Sequence, residues 1–195
     1  SNPGREGIRS GVVEFLEEQN VTTVGFTGFQ NRYALAMRRD RARELGVTSI
    51  EDLIPIAAEL SAGSDLEFFG RTEWFRLRDL YNMDFADKLT FDVSLMYTAV
   101  AERQVDVISA YTTDGRVAAY DLLLLDDPRN ALLAYDAMIL ASTNAAAQPE
   151  FMRILEALVD SIPDAAMRQA NRLVDVDGES ITVALEYLRG EMTKN

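Results

Sequence analysis

The sequence predicts an α/β fold with a mostly parallel sheet, and three observations carry that expectation. Short β-branched or aromatic runs alternate with segments of helical spacing, which is how a chain of strand–helix units reads. Two stretches, around 24–35 and around 122–136, run strand, loop, strand with no helix between them, as a chain does when it crosses between two lobes. The composition is that of a soluble globular chain: 195 residues, 48% hydrophobic and 26% charged, enough for one or two compact lobes with real cores.

The elements follow in order. IRSGVVEFLEEQ at 8–19 places Ile8, Val12, Phe15 and Leu16 on one helical face. VTTVGF at 21–26 reads as a strand, TGFQN as a loop, and YALAMR at 33–38 as a second strand. A short basic helix leads to Gly46. Thr48, three residues before Glu51, opens a capping pattern for a helix over 48–60, bent or interrupted at Pro55. DLEFF at 65–69 reads as a strand, and a helix runs from Gly70–Glu73 to about Tyr81. Then come a strand at 88–93, a helix at 94–103, a strand at 105–111, and a turn or helix at 113–119. YDLLLL leads into a loop at 126–130, and 132–140 is a further strand. Helical spacing fills 148–160, 163–171 and 178–190, the last capped by Asp177 or Ser180. There is no internal repeat and no low-complexity linker.

Composition removes several kinds of chemistry. The chain has no cysteine and no histidine, so it has no disulfide, no thiolate metal site, no Ser-His or Cys-His pair and few routes to zinc. No metal site and no cofactor are expected. A formal charge of −13 argues against nucleic acid, which needs a basic face. Of nineteen cations only Lys88 and Lys194 are lysine, a compositional bias without mechanistic content. The longest apolar runs, such as LLLL at 122–125, are too short to span a bilayer. The first residues show no signal-peptide pattern, and the opening Ser-Asn reads as a cloning scar, with the natural N-terminus expected elsewhere.

Four stretches carry more specific information: QNRYALAMRRD at 30–40, LEFFGRTEWFRLRDLYNMDF at 66–85, VDVISAYTTDGRVAAYDLLLLDD at 105–127, and VALEYLRG at 183–190. In this order and spacing the chain resembles the substrate-binding proteins of ABC importers for glycine betaine, choline, carnitine and proline betaine. These are osmoprotectant-uptake proteins of the two-lobed type II periplasmic-binding fold. The resemblance implies lobe two over 33–128 and a partial lobe one from 1–32 and 129–195. It implies non-catalytic capture of a quaternary-ammonium osmolyte, glycine betaine-like, with an ABC permease as partner. It places the chain outside the cytoplasmic membrane, held by a lipid anchor or by fusion to the permease.

The family's site is a box of tyrosines. A trimethylammonium group donates no hydrogen bond, so it is held by the negative faces of aromatic rings, each contributing about 0.5–2 kcal/mol. Carried over by position, the cage residues are Tyr33 in NRYAL, Tyr111 in AYTTDG and Tyr135 in LAYDA. The strand ending in Tyr111 would deliver its ring into an interlobe cleft, with the Asp-Gly turn leaving it unobstructed. Arg71 in FFGRTE matches the arginine that grips a ligand carboxylate, a task suited to a planar guanidinium. If Arg71 faces the cleft, betaines are favoured over choline. Asn31 fixes the crossover loop or contacts ligand, and Thr112, Thr113 and Asp114 shape the loop, Thr113 being counted with the binding residues.

The plainer readings are structural. A lone tyrosine at a strand end is commonly half-buried packing, and Arg71 has Glu67 and Glu73 within pairing reach. Tyr81, Tyr97, Tyr120 and Tyr187 sit at helical or core spacing, and Trp74 shares an apolar helix face with Leu77 and Tyr81. The chain also departs from the family. The resemblance starts just before the first crossing, NALLAY lacks the prolines common before Tyr135, and Ser109-Ala110 stand where Asp-Ala is common. A lobe without its first strand exposes an unpaired edge. Three outcomes are open: the chain has been trimmed, a second chain supplies the strands by dimerisation or strand exchange, or 1–26 and the C-terminal helices have repacked as a smaller lobe. The alternative function is accordingly a sensor or interaction module that has lost tight solute binding. An enzyme using Asp84, Asp114 or Asp136 finds no paired acid and base in the spacing.

Overall fold

The computed structural model describes residues 4–192. Helix α1 (Gly4–Glu18) leads into strand β1 (Thr22–Gln30), then β2 (Tyr33–Arg38) and helix α2 (Arg39–Leu45). Next come α3 (Ile50–Leu53), β3 (Ser61–Ser64), α4 (Thr72–Tyr81), β4 (Asp87–Thr90), α5 (Val93–Ala101) and β5 (Val107–Tyr111). The chain continues through α6 (Gly115–Ala119), β6 (Leu122–Leu124), β7 (Asp136–Ala141), α7 (Thr143–Ala146), α8 (Pro149–Glu156), α9 (Asp164–Asp175) and α10 (Ile181–Met192).

Two sheets result. A five-stranded sheet has the order β4-β3-β5-β2-β6, and a two-stranded sheet pairs β1 with β7. In the larger sheet β3 runs parallel to β4 and β5, while β2 runs antiparallel to both β5 and β6. Four strands therefore share one direction and β2 alone is reversed, so two of the four pairings are parallel and two antiparallel. Tyr33, Leu35 and Met37 pack into one hydrophobic cluster and Ala36 into a second, because alternate strand residues face opposite sides. The first cluster is closed by α3 and α4 through Ile50, Leu53, Trp74 and Leu77, the second by α5 through Met96, Tyr97 and Val100.

Several sequence expectations are corrected. Residues 27–30 extend β1 instead of looping, with Gly25 and Gly28 absorbing positive φ of 159° and 110° where the pairing with β7 shifts register. Gly28 also lies against the 160–162 backbone, where a Cβ would sit 2.9 Å from the Ile162 carbonyl oxygen. The helix expected over 48–60 is split. Its capping box uses Ser49 and Asp52, one residue later than expected, and regular helix ends before Pro55, leaving a 3₁₀ turn at Ala57–Glu59. SAGS at 61–64 is the strand that precedes α4, and DLEFF is not one. The turn at DLEFF follows from Asp65, whose Oδ1 accepts the backbone N–H groups of Glu67 at 2.9 Å and Phe68 at 2.8 Å, a local closure that competes with strand pairing. The strand expected over 132–140 begins only at Asp136.

The two-stranded sheet is thinly supported. Carbonyls of β1 accept N–H groups from Asp160 and Ile162, which covers one edge. β7 has no second strand partner among the described residues. Arg5 and Arg9 of α1 bond the Asp136 carboxylate at the start of β7.

Candidate functional site

The antiparallel register of β2 and β5 sets Tyr33 opposite Tyr111. Parallel β3 ends beside them, so one end of the sheet gathers the first residue of β2, the last of β5 and Asp65 just beyond β3. Carboxyl ends of parallel strands are the usual place for a site in such sheets. The two tyrosine rings lie 4.8 Å apart at 33°, and Phe68 tilts against Tyr33 at 4.9 Å. Both hydroxyls donate to Asp65 Oδ2 at 2.8 Å. Each hydroxyl spends its one proton there, so the shared acceptor holds the two oxygens 3.1 Å apart. The backbone N–H of Tyr111 donates to the Tyr97 hydroxyl at 2.9 Å, which fixes the strand end from the opposite face of the sheet.

Asp65 is 5% exposed. Burial pushes its carboxyl up, but the bonds from Tyr33, Glu67, Tyr111 and Phe68 outweigh that and hold it below the usual carboxylate range. Tyr33 is pushed up, first by burial and then by the adjoining Tyr111 hydroxyl and the Asp65 carboxylate. Tyr111 is also raised, chiefly by burial.

Arg71 lies with its Cζ 5.7 Å from the centroid of the Tyr33 ring. It also pairs with Glu67 at 3.2 Å and with Glu73 at 3.3 Å, so the structural pairing and the proximity to Tyr33 coexist. Glu73 is 3% exposed and accepts the Tyr135 hydroxyl at 2.5 Å. Tyr135 therefore reaches the tyrosine pair through Glu73 and Arg71. Its ring is 41% exposed and borders a cavity of about 730 Å³ with Val12, Phe26 and Met138. Tyr111 borders a different cavity of about 280 Å³.

The TTDG loop is stitched to the first crossing. Thr113 Oγ1 donates to Asn31 Oδ1 at 2.8 Å, and Thr112 Oγ1 donates to the Gln30 carbonyl at 2.9 Å. Asn31 N–H donates to the Tyr135 carbonyl at 3.0 Å, which ties the two crossing segments together. Helix α9 holds the loop from outside: Asn171 donates to the Thr113 carbonyl and Arg168 to that of Thr112, both at 2.8 Å. Asp114 caps α6 through the Arg116 N–H. Gly115 has a different role from clearing space for Tyr111. A Cβ there would sit 2.4 Å from Arg172 Cα, so its missing side chain lets α9 seat on α6.

The six candidate residues thus form one bonded neighbourhood. Two members escaped the sequence reading, Asp65 and Phe68, while Glu73 was read only as a pairing partner of Arg71 and also accepts the Tyr135 hydroxyl. For Asp65 the available signal was an aspartate directly after a short run of small residues, the pattern of an Asx turn. Trp74 packs on Phe85 and Phe69 in the core, as its spacing indicated. Among the described residues no group of three or more acidic side chains is placed to hold a metal ion, and no helix is long and apolar enough to cross a membrane.

Residues 9–190 match the family model described as the substrate binding domain of ABC-type glycine betaine transport systems. The chain belongs to this family. It is a family of solute-binding domains, not enzymes. Among curated relatives, a glycine-betaine-binding protein of Pseudomonas aeruginosa is 33% identical over 91% of this chain and 62% of its own length. A carnitine transport binding protein of Listeria monocytogenes is 30% identical over 90% of this chain and 58% of its own. The chain thus spans about three fifths of these relatives. A crystal structure of a glycine betaine/carnitine/choline ABC transporter superposes with a TM-score of 0.86 at 26% identity, over 96% of this chain and 70% of that one. The expected α/β architecture of the type II periplasmic-binding kind holds.

Proposed function

We propose that this glycine-betaine-family domain captures a quaternary-ammonium osmoprotectant, glycine betaine-like, for an ABC importer, outside the cytoplasmic membrane and in company with a permease. The observation that carries the reading is the Tyr33–Tyr111 ring pair, fixed on Asp65 at the end of the sheet. Preset ring faces lower the ordering cost of binding and offer the negative quadrupole that a trimethylammonium needs. Arg71, close to Tyr33, meets the ligand carboxylate by exchanging Glu67 or Glu73 for it. Tyr135, Asn31 and Thr113 complete the site as residues 33–128 close on 1–32 and 129–195 about the two crossing segments.

Titration with glycine betaine, choline and carnitine, read by Trp74 and tyrosine fluorescence, tests this. Saturable binding that disappears in Tyr33→Ala and Tyr111→Ala is the expected result. Arg71→Ala should weaken glycine betaine more than choline, and equal affinities unchanged by that substitution would remove Arg71 from the site. A second reading is a sensor or docking module that exchanges strands with a second copy. Light scattering showing a monomer that binds betaine would exclude it.

A further inference from the structure

Asp65 is more elaborate than two tyrosines require. Asp65 takes the two buried hydroxyls on one oxygen and the Glu67 and Phe68 backbone N–H groups on the other. Those four bonds keep the buried carboxylate ionised, so its charge stands in the site without a cation beside it. None of the ion pairs among the described residues includes Asp65, and Arg71, the cation over the Tyr33 ring, is paired with Glu67 and Glu73. The cavity of about 280 Å³ next to Tyr111 is bordered by Asp65, Glu67, Asp92 and the ring of Phe91, with no lysine or arginine among its lining residues. The site therefore holds a buried, hydrogen-bonded anion that faces an acidic, ring-walled space and lacks a protein counter-ion.

We infer that Asp65 is the specificity-determining charge of this site: it fixes the two tyrosine rings and serves as counter-ion to the ligand's ammonium head in the cavity beside Tyr111. The inference rests on the quaternary-ammonium reading above and goes beyond it, because it assigns the selection of charge to a carboxylate in addition to the rings. Rings alone hold a trimethylammonium partly as apolar surface, so they distinguish it only modestly from an uncharged group of the same shape. A carboxylate within a few ångströms at partial burial adds a discrimination on the order of tenfold or more.

The test compares choline with its uncharged carbon isostere, in which the quaternary nitrogen is replaced by carbon. Wild-type protein should prefer choline by roughly tenfold or more. Asp65→Asn keeps the shape and loses the charge, and the preference should fall to within about threefold of parity. Asp65→Ser retains an oxygen for the turn amides and serves as a second uncharged variant, with a thermal melt confirming that each is folded. Tyr111→Phe should lower the affinity for both ligands and keep the preference, because Asp65 remains ionised. An unchanged preference in folded Asp65→Asn or Asp65→Ser overturns the inference, as does equal loss of both ligands, which a merely structural Asp65 would produce. Wild-type protein that binds neither choline nor glycine betaine overturns the quaternary-ammonium reading itself, and Asp65's role with it.

Discussion

The five-stranded and two-stranded sheets draw on similar residues and reach different degrees of burial. Both core clusters lie between Tyr33 and Leu132. Outside that span the buried apolar residues, among those described, are the alanines Ala141, Ala166, Ala170 and Ala184. Phe15, Phe151, Ile154, Ile181 and Leu185 remain exposed. A five-stranded sheet offers two broad faces, and helices cover both. A two-stranded ribbon is too narrow to bury the apolar stripes of several helices. An amphipathic pattern therefore specifies a helix and a face, while burial depends on how wide a surface the rest of the chain supplies.

The widest test of this contrast is a pair of truncations. Leu77→Ala, at a fully buried position, should cost about 2–5 kcal/mol in urea unfolding. Ile154→Ala, at a position 64% exposed, should stay within about 0.5 kcal/mol. Comparable losses would mean that the two regions are equally packed. Next in size is Gly115→Ala, which forces α9 away from α6 and should cost about 1–3 kcal/mol. Because α9 holds the Thr112 and Thr113 carbonyls, the same variant should weaken ligand binding, and wild-type affinity in it would uncouple the two regions. Asp136→Asn should cost about 1 kcal/mol, since Arg5 is half exposed and its pairing is screened. Hydrogen exchange in α1 should rise while β2 and β5 keep their protection.

The smallest effect belongs to Asp52 in the capping box. Its carboxyl is lowered from 3.8 to about 2, chiefly by accepting the Thr48 and Ser49 backbone N–H groups. A depressed folded value means that the ionised form stabilises the fold above about pH 3.8 and that this contribution fades as pH falls through about 2. Asp52→Ala should therefore cost about 0.5–1 kcal/mol at neutral pH, and the difference should vanish in acid. A difference that persists undiminished well below pH 2 would assign the effect to packing.

How far the sequence was legible follows the same contrast. β2, β5, α4 and α5 read clearly because each carries its own period and a broad surface to bury it. Tyr33 and Tyr111 could be picked out by resemblance, but their pairing is a matter of register between strands that are distant in sequence. Asp65 was hidden inside an apparent strand because Phe68 and Phe69 look like strand residues, and its side-chain bonds to the next turn outweighed that preference. SAGS escaped because a buried strand of small residues has no pattern to see. The role of Gly115 was misread because its close neighbour, Arg172, lies 57 positions further along the chain.

The reversal of β2 has a consequence for how the chain comes together during synthesis. β2 is the first of the five strands to be made, and it sits between β5 and β6, so its two edges stay bare until the segment from Val107 to Leu124 has emerged. Tyr33 and Tyr111 are 78 positions apart. Closing so long a loop before any strand pairing repays it is slow, and meanwhile an apolar strand, Tyr-Ala-Leu-Ala-Met, is open to the wrong partner. The strand that starts with a candidate ligand-binding tyrosine is thus also the one that most needs protection while the protein is being born.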